Sequence, residues 1–312
     1  MIQTRTPEVF WILGSLLAAV TLASLIGYVL KRRNPGNPAT ENLNARIRSW
    51  GMMILVGGGA LLTGRIAILL LFACISFLAL REFMTSASGR PADRVTLLVC
   101  NFVVLPGQYL LVGAGRYELF CILIPAYCFV PSAASAFTDT NRFLDRAAAV
   151  RWGLALCVYC ISYIPALMTL RIPGYESRSA LLMVFLLLIA QVSDILQYVW
   201  GKLIGRHPVS PTISPSKTVE GLVGGVLSAT VLGTLLWRIT PFTAWQAGLM
   251  AFLVAALGFL GGLVMSAIKR DRGIKDWGHL IEGHGGMLDR MDSLCFSAPV
   301  FFHLTRYFFS QP

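Results

Sequence analysis

The chain has 312 residues, of which 56% are hydrophobic and only 13% charged, at a mean hydropathy of +0.68. An ordinary soluble domain carries about 25% charged residues, so water is excluded as the main solvent. The net charge is +11, from 26 Lys and Arg against 15 Asp and Glu, but its distribution argues for a membrane surface and against nucleic acid.

A helix that spans a bilayer needs about 20 mostly apolar residues. Ten stretches answer to that description: 9–30, 50–64, 66–80, 95–113, 118–138, 153–171, 180–201, 222–240, 243–268 and 292–309. They predict an all-α, polytopic bundle of about 10 spanning helices, because lipid offers no partner to the backbone of an open strand or loop. The first stretch is long and is followed by Lys31, Arg32 and Arg33 where a cleavage site needs small residues, so it is expected to be retained. The second and third are joined only by Thr63, Gly64 and Arg65, as a tight hairpin or a partly re-entrant pair. Residues 31–49 read as a polar linker. The chain thus divides into a first helix plus linker (1–48), a set of membrane helices (49–190) and a polar-rich membrane region (191–312).

The seven cysteines, Cys74, Cys100, Cys121, Cys128, Cys157, Cys160 and Cys295, all fall in apolar stretches. Their odd number argues against a disulfide framework, and the Cys157–Cys160 pair inside a spanning helix reads as packing. With alternate loops assigned to one side, nineteen Lys and Arg fall there and seven on the other. Because short cytoplasmic loops are rich in these residues, the 202–217 and 269–290 loops are expected in the cytosol, with the N-terminus across the inner membrane.

Asp194 lies well inside the apolar run ALLMVFLLLIAQVSDILQYVW, where a carboxylate is kept for a partner or an ion or bonds a neighbouring helix. On a helix Asp194, Gln197, Tyr198 and Gly201 share one face. That face leads to Lys202 and Arg206, then to a loop with Ser210-Pro211 and Ser214-Pro215 that carries Lys217 and Thr218 ahead of Glu220, Gly221, Gly224 and Gly225. Prolines stiffen such a loop, cations meet phosphate oxygens and glycines permit close packing. The combination suits an anionic ligand at the membrane surface, or an ordinary cytosolic loop. It is not a phosphate-binding P-loop, since the GxxxxGK spacing is missing.

A second polar segment, 266–292, reads SAIKRDRGIKDWGHLIEGHGGMLDRMD. It delivers Ser266, Lys269 and Arg270 on about one turn, then Lys275, Asp276, His279, Glu282 and His284 in a Gly-rich loop, then Asp289, Arg290 and Asp292. A capping role is open to Asp289. Three carboxylates, Asp276, Asp289 and Asp292, amid cations are the inventory of a site for a hard divalent cation and a polyphosphate. No Cys cluster or HExxH pattern suggests zinc, so the metal is expected to be Mg²⁺-like.

The second segment is similar to the signature of the phosphatidate cytidylyltransferase (CDP-diacylglycerol synthase) family: Ser, Lys-Arg, Lys-Asp, His-Gly-Gly and Asp-Arg-x-Asp at matching spacings. The 193–225 segment also resembles that family, in an Asp, a Tyr four residues on, a Gly-Lys and Ser-Pro-x-Lys-Thr-x-Glu-Gly before a Gly-Gly. Upstream, Arg46, Trp50 and Arg81-Glu82-Phe83 are reminiscent of it. Two departures stand out. Glu282 replaces the Pro or Gly that the family usually carries two residues before the signature His. Gly262 replaces an Asp in a Gly-Asp-Leu context that is thought in the family to help hold the metal.

The resemblance implies attack by a phosphatidate phosphate on the α-phosphorus of CTP, chemistry in which positioning and charge neutralisation dominate. It implies Asp289 and Asp292, with Asp194 or Asp276 assisting, as Mg²⁺ ligands, and Lys202, Lys217, Lys269, Arg270, Lys275 and Arg290 as phosphate ligands. Ser214 and Thr218 would orient the nucleotide, Tyr198 and Ser266 would line the substrate, and Gly285-Gly286 would let backbone N–H groups approach an oxygen. His284 is open to a general-base or an orienting role. The partners are then CTP, phosphatidate and membrane lipids, without nucleic acid and with a homodimer left open. Two alternatives stand: a cytidylyltransferase for another lipid phosphate, and a non-catalytic lipid-phosphate binder or transporter.

Overall fold

Proline at the first helical position, where its missing N–H costs nothing, starts the first two helices. α1 runs Pro7–Arg33 and α2 runs Pro38–Thr63; the side chain of Asn37 caps α2 by accepting the Ala39 N–H at 2.9 Å. A computed structural model of the chain describes residues 6–87, 94–121 and 142–310, with Phe129 and Ala133. The remaining helices are α3 (Arg65–Ala87), α4 (Val95–Gly113), α5 (Phe143–Thr169), α6 (Ser179–Ile204), α7 (Val219–Leu235), α8 (Ala244–Asp271) and α9 (Asp292–Phe309). α4 and α5 each contain a wider turn, at Cys100–Val104 and Leu154–Cys160. Each precedes a proline, Pro106 or Pro165, whose ring removes a helical hydrogen bond.

The protein is an all-α polytopic membrane protein, and of the ten expected spans the described residues support fewer. Six helices among the described residues are long and apolar enough to cross a bilayer. α7, at 17 residues, is about 26 Å long, short of the roughly 30 Å hydrocarbon core. α9 carries Asp292, His303 and Arg306 within 18 residues. α2 is a full 26 residues, but its first turns are polar, so only its second half is apolar. Most of the expected 118–138 stretch lies outside the described residues.

The expected linker over 31–49 is corrected too. Lys31–Arg33 complete α1, and only residues 34–37 stand outside a helix before α2. Polar residues do not forbid a helix that projects beyond the lipid, and the Asn-Pro start favours one. Among the described residues the strand structure is a ribbon, β1 (Pro208–Ser210) antiparallel to β2 (Ser214–Thr218), with Pro208 opposite Thr218 and Ser210 opposite Ser214, plus an isolated bridge between Ile281 and Gly285.

α5 is the most buried of the spanning helices, and the core around it includes Tyr163, Ile161, Phe185, Phe301 and Phe302. Cys157 sits in that core as a free thiol. α6, α7 and α8 pack on one another in turn, and α8 on α9. The α6–α7 approach depends on Gly225, where a Cβ would come within 2.3 Å of Gln197 Cγ. One end of the bundle gathers the start of α2, the end of α3, the end of α6, the ribbon, the end of α8 and the start of α9. This is the polar end.

Candidate active site

The loop between α8 and α9 is built by glycines at left-handed positions and by two buried carboxylates. Gly273 (φ 69°) ends α8, with Ile274 N–H returning to Lys269 O at 2.9 Å. Gly283 (φ 74°) and Gly285 (φ 82°) close a tight turn held by Ile281 N–H to Gly285 O at 2.9 Å. Asp289, 5% exposed, accepts the Lys269 ammonium on Oδ1 at 2.7 Å and the Trp277 and Gly286 N–H groups on Oδ2, both at 2.9 Å. Glu82, buried at the end of α3, accepts Met287 N–H on Oε1 and Leu288 N–H on Oε2, again at 2.9 Å. Next to it Phe83 stacks on Trp277 with ring centroids 5.1 Å apart.

α2 grips the same loop from the other side. Arg46 Nε donates to Gly283 O at 3.1 Å, Ser49 Oγ to Glu282 O at 2.8 Å, and Arg48 pairs with Glu282 at 3.1 Å. The last pair is exposed on both sides and contributes little, so Glu282 serves mainly as a docking point for α2.

Between α2, α6 and this loop lies a cavity of about 840 Å³. α2 contributes Asn42, Arg46 and Trp50; α6 contributes Gln191, Asp194, Ile195 and Tyr198. The loop adds Lys275, Asp276, His279, His284, Gly285 and Arg290. Trp50 meets His284 edge-on at 6.1 Å. Burial, with Arg290 nearby, holds the His284 imidazole below its usual value, so it is neutral at pH 7. The Nε of Arg290 is buried and has no hydrogen-bond partner among the described residues.

Asp194 and Asp292 are joined through Ser293, which donates its Oγ to Asp194 Oδ2 and its N–H to Asp292 Oδ1, each at 2.8 Å. Their other oxygens accept no hydrogen bond among the described residues. Lys217 lies close to both: burial pulls its ammonium below the ordinary lysine value, while Asp292 and Asp194 pull it back up. Its Nζ is 5.0 Å from the Phe259 ring centroid and 2.8 Å from where a Cβ on Gly262 would stand.

Residues 44–308 match the model of the Cytidylyltransferase family. The chain belongs to that family. It is 40% identical over 298 residues to the "Uncharacterized protein YnbB" of Escherichia coli (strain K12), covering 95% of this chain and 97% of that one. It is 30% identical over 256 residues to a protein named phosphatidate cytidylyltransferase in Staphylococcus saprophyticus, covering 77% and 90%. A Mycobacterium leprae protein of the same name is 43% identical over 142 residues, 41% of this chain and 45% of that one.

In this cytidylyltransferase-family chain the residues singled out from the sequence are not all brought together. Asp194, Tyr198, Lys275, Asp276, His284, Gly285 and Arg290 line the cavity. Lys202 stands outside it, 5.9 Å from the Tyr198 ring centroid. Thr218, expected on the nucleotide, caps α7 by accepting Gly221 N–H at 3.1 Å. Ser266 Oγ turns back to Gly262 O at 2.7 Å, and Arg270 ties α8 to the ribbon through Ile213 O at 3.3 Å. Ser214 pairs in the ribbon. The Gly286 N–H, expected to approach a substrate oxygen, instead donates to Asp289.

The four carboxylates expected around one metal divide in the same way. Asp194 and Asp292 form a pair, Asp276 stands on the cavity wall, and Asp289 is engaged by three protein donors. Among the described residues no three His, Cys, Asp or Glu side chains gather closely enough to hold a metal by themselves. The shared helical face on α6 is also split: Asp194 and Tyr198 face the cavity, whereas Gln197 and Gly201 abut Gly225 and Thr218 at the α7 side. Sequence reasoning missed Asn42 and Gln191 and left Glu82, Arg46 and Trp50 as fragments, because each of these acts on a loop or wall distant in the chain.

Proposed function

We propose that the chain is a phosphatidate cytidylyltransferase, joining CTP to phosphatidate to give CDP-diacylglycerol and pyrophosphate. The observation that carries this reading is the cavity at the polar end, where Arg46, Lys275 and Arg290 stand around Asp194 and Asp276 at the level of helix ends. The name of the Staphylococcus saprophyticus relative supports it. The Lys/Arg bias supports a polar end facing the cytosol across the inner membrane.

In the reaction a phosphate oxygen of phosphatidate bonds to the α-phosphorus of CTP, and the bond from that phosphorus to the β-phosphate bridging oxygen breaks, leaving as pyrophosphate. A phosphate ester has its second pKa near 6, so the attacking oxygen is already ionised and needs no general base. His284, neutral and packed on Trp50, orients the loop or ligand. Lys275 and Arg290, both on the cavity wall, neutralise nucleotide phosphates. Asp289 and Lys269 act by holding the loop.

Asp194 and Asp292 fit a Mg²⁺ ion, which characteristically takes one or two carboxylates and completes its shell with water and substrate phosphates. Bound there, Mg²⁺ supplies charge neutralisation between the two anionic substrates.

A non-catalytic lipid-phosphate binder is the second reading. Gly262 favours it, since the side chain nearest that position is an ammonium, Lys217, and not a carboxylate. CTP-dependent pyrophosphate release by the purified protein in proteoliposomes with phosphatidate separates the two. The transferase reading expects release that depends on both substrates and falls at least about a hundredfold in Asp292→Asn. No release from the folded wild-type protein sinks it.

A further inference from the structure

The polar half of α2, which the sequence presents as a linker, forms one wall of the cavity, and Arg46 is its charged residue there. Arg46 stands one turn, about 6 Å, before Trp50, after which the sequence of α2 is apolar. Its Nε is fixed on Gly283 O. Gly283 is needed for that approach: a Cβ there would lie 3.1 Å from Arg46 Cγ, on a backbone with φ +74°. The two terminal amino groups of the guanidinium have no hydrogen-bond or ion-pair partner among the described residues. By contrast Arg48, two residues on, is spent on Glu282. An arginine held through one nitrogen, with its remaining donors turned to a cavity, is prepared for two oxygens of a phosphate.

We propose that Arg46 binds the phosphate of the lipid substrate and sets the affinity for it. This rests on the lipid-phosphate reading above. Depth decides between lipid and nucleotide. α2 turns apolar immediately after Trp50, and across the cavity Ile195 and Tyr198 present exposed apolar surface against which a diacylglycerol moiety can lie. Lys275 is carried on the loop beyond the helix ends, where a nucleotide arrives from water.

The test compares wild type, Arg46→Gln and Arg46→Lys, each checked for an unchanged thermal midpoint in detergent. Two readouts are taken: KM for phosphatidate and for CTP in proteoliposomes, and equilibrium binding of a short-chain phosphatidate in detergent, with the matching diacylglycerol as control. Arg46→Gln is expected to raise the phosphatidate KM and dissociation constant at least about tenfold, with the CTP KM and kcat within about twofold. Arg46→Lys, which keeps the charge and loses the fork, falls between. Unchanged phosphatidate binding and KM overturn the proposal, as does a rise confined to the CTP KM. If wild type binds phosphatidate without turning it over, the transferase reading fails while the binding comparison still decides Arg46. If wild type neither binds nor converts phosphatidate, both fail.

Discussion

The carboxylate of Glu82 on α3 accepts the backbone N–H of Leu288, 206 residues further along the chain, at 2.9 Å. Its other oxygen takes Met287 N–H, so one buried side chain pins the turn that leads into Asp289, Arg290 and Asp292. Close backbone approach makes the pin tight: a Cβ on Gly286 would come within 2.4 Å of Glu82 Oε2.

Glu82→Ala leaves two N–H groups in a buried site without an acceptor, at a cost of about 3 kcal/mol. Glu82→Gln is expected to be nearly as harmful, because its amide turns a donor toward a donor. Limited proteolysis is the readout: cleavage within 275–290 should accelerate in both variants while the spanning helices stay protected. An unchanged cleavage pattern removes Glu82 as the pin.

Lys269 and Asp289 are 8% and 5% exposed and 2.7 Å apart. Removing one partner of a buried pair leaves an uncompensated charge, so Asp289→Asn should destabilise the fold by about 3–5 kcal/mol. The double variant Lys269→Met, Asp289→Asn should recover part of that loss in denaturant unfolding. Lost turnover in Asp289→Asn alone therefore assigns no chemistry to Asp289, whereas Asp292→Asn leaves Lys269 paired and reports on the site.

Gly262→Asp places a new side chain whose Cβ lies 2.8 Å from Lys217 Nζ and 3.9 Å from Asp292 Oδ2. Only the end of a flexible side chain has to move, so the variant is expected to fold. Its carboxylate joins the Asp194–Asp292 pair, and the Mg²⁺ concentration for half-maximal turnover should drop several-fold. An unmoved Mg²⁺ dependence makes the carboxylate at that position irrelevant.

His284 has its folded pKa lowered, first by burial and then by Arg290. The folded state thus resists protonation, and the unfolded chain takes up the proton first as pH falls below about 6.5. Stability from this group is complete above that value and declines as pH drops toward the folded pKa. Histidine NMR in micelles should show His284 titrating below 6.5, and a midpoint at or above 6.5 contradicts the packed, neutral imidazole.

The spanning character, the boundaries of α6 and α8, and the two polar segments were legible because each is a local property: a long apolar run, or ionisable groups where apolar runs stop. The shape of α2 was not. The residues from Lys31 to Ser49 look like a linker by hydrophobicity, yet Asn37 and Pro38 start a helix there, and capping acts on the backbone whatever the polarity of the residues that follow. The roles of Asp289 and Thr218 were equally hidden, since the same residue types serve as ligands or as hydrogen-bond acceptors for the chain itself.

The sequence by itself determined that the protein lives in a membrane, that its polar chemistry is concentrated in 193–225 and 266–292, and which family's motifs it carries. Composition and fixed spacings suffice for that, because they need no knowledge of what lies opposite. Only the tertiary structure decided which carboxylates are free and which are spent, and that the walls of the cavity come from α2 and α6 as well as the Gly-rich loop. A buried carboxylate is committed by the donors that reach it, and for Glu82 and Asp289 those donors arrive from segments that meet only once the helices have packed.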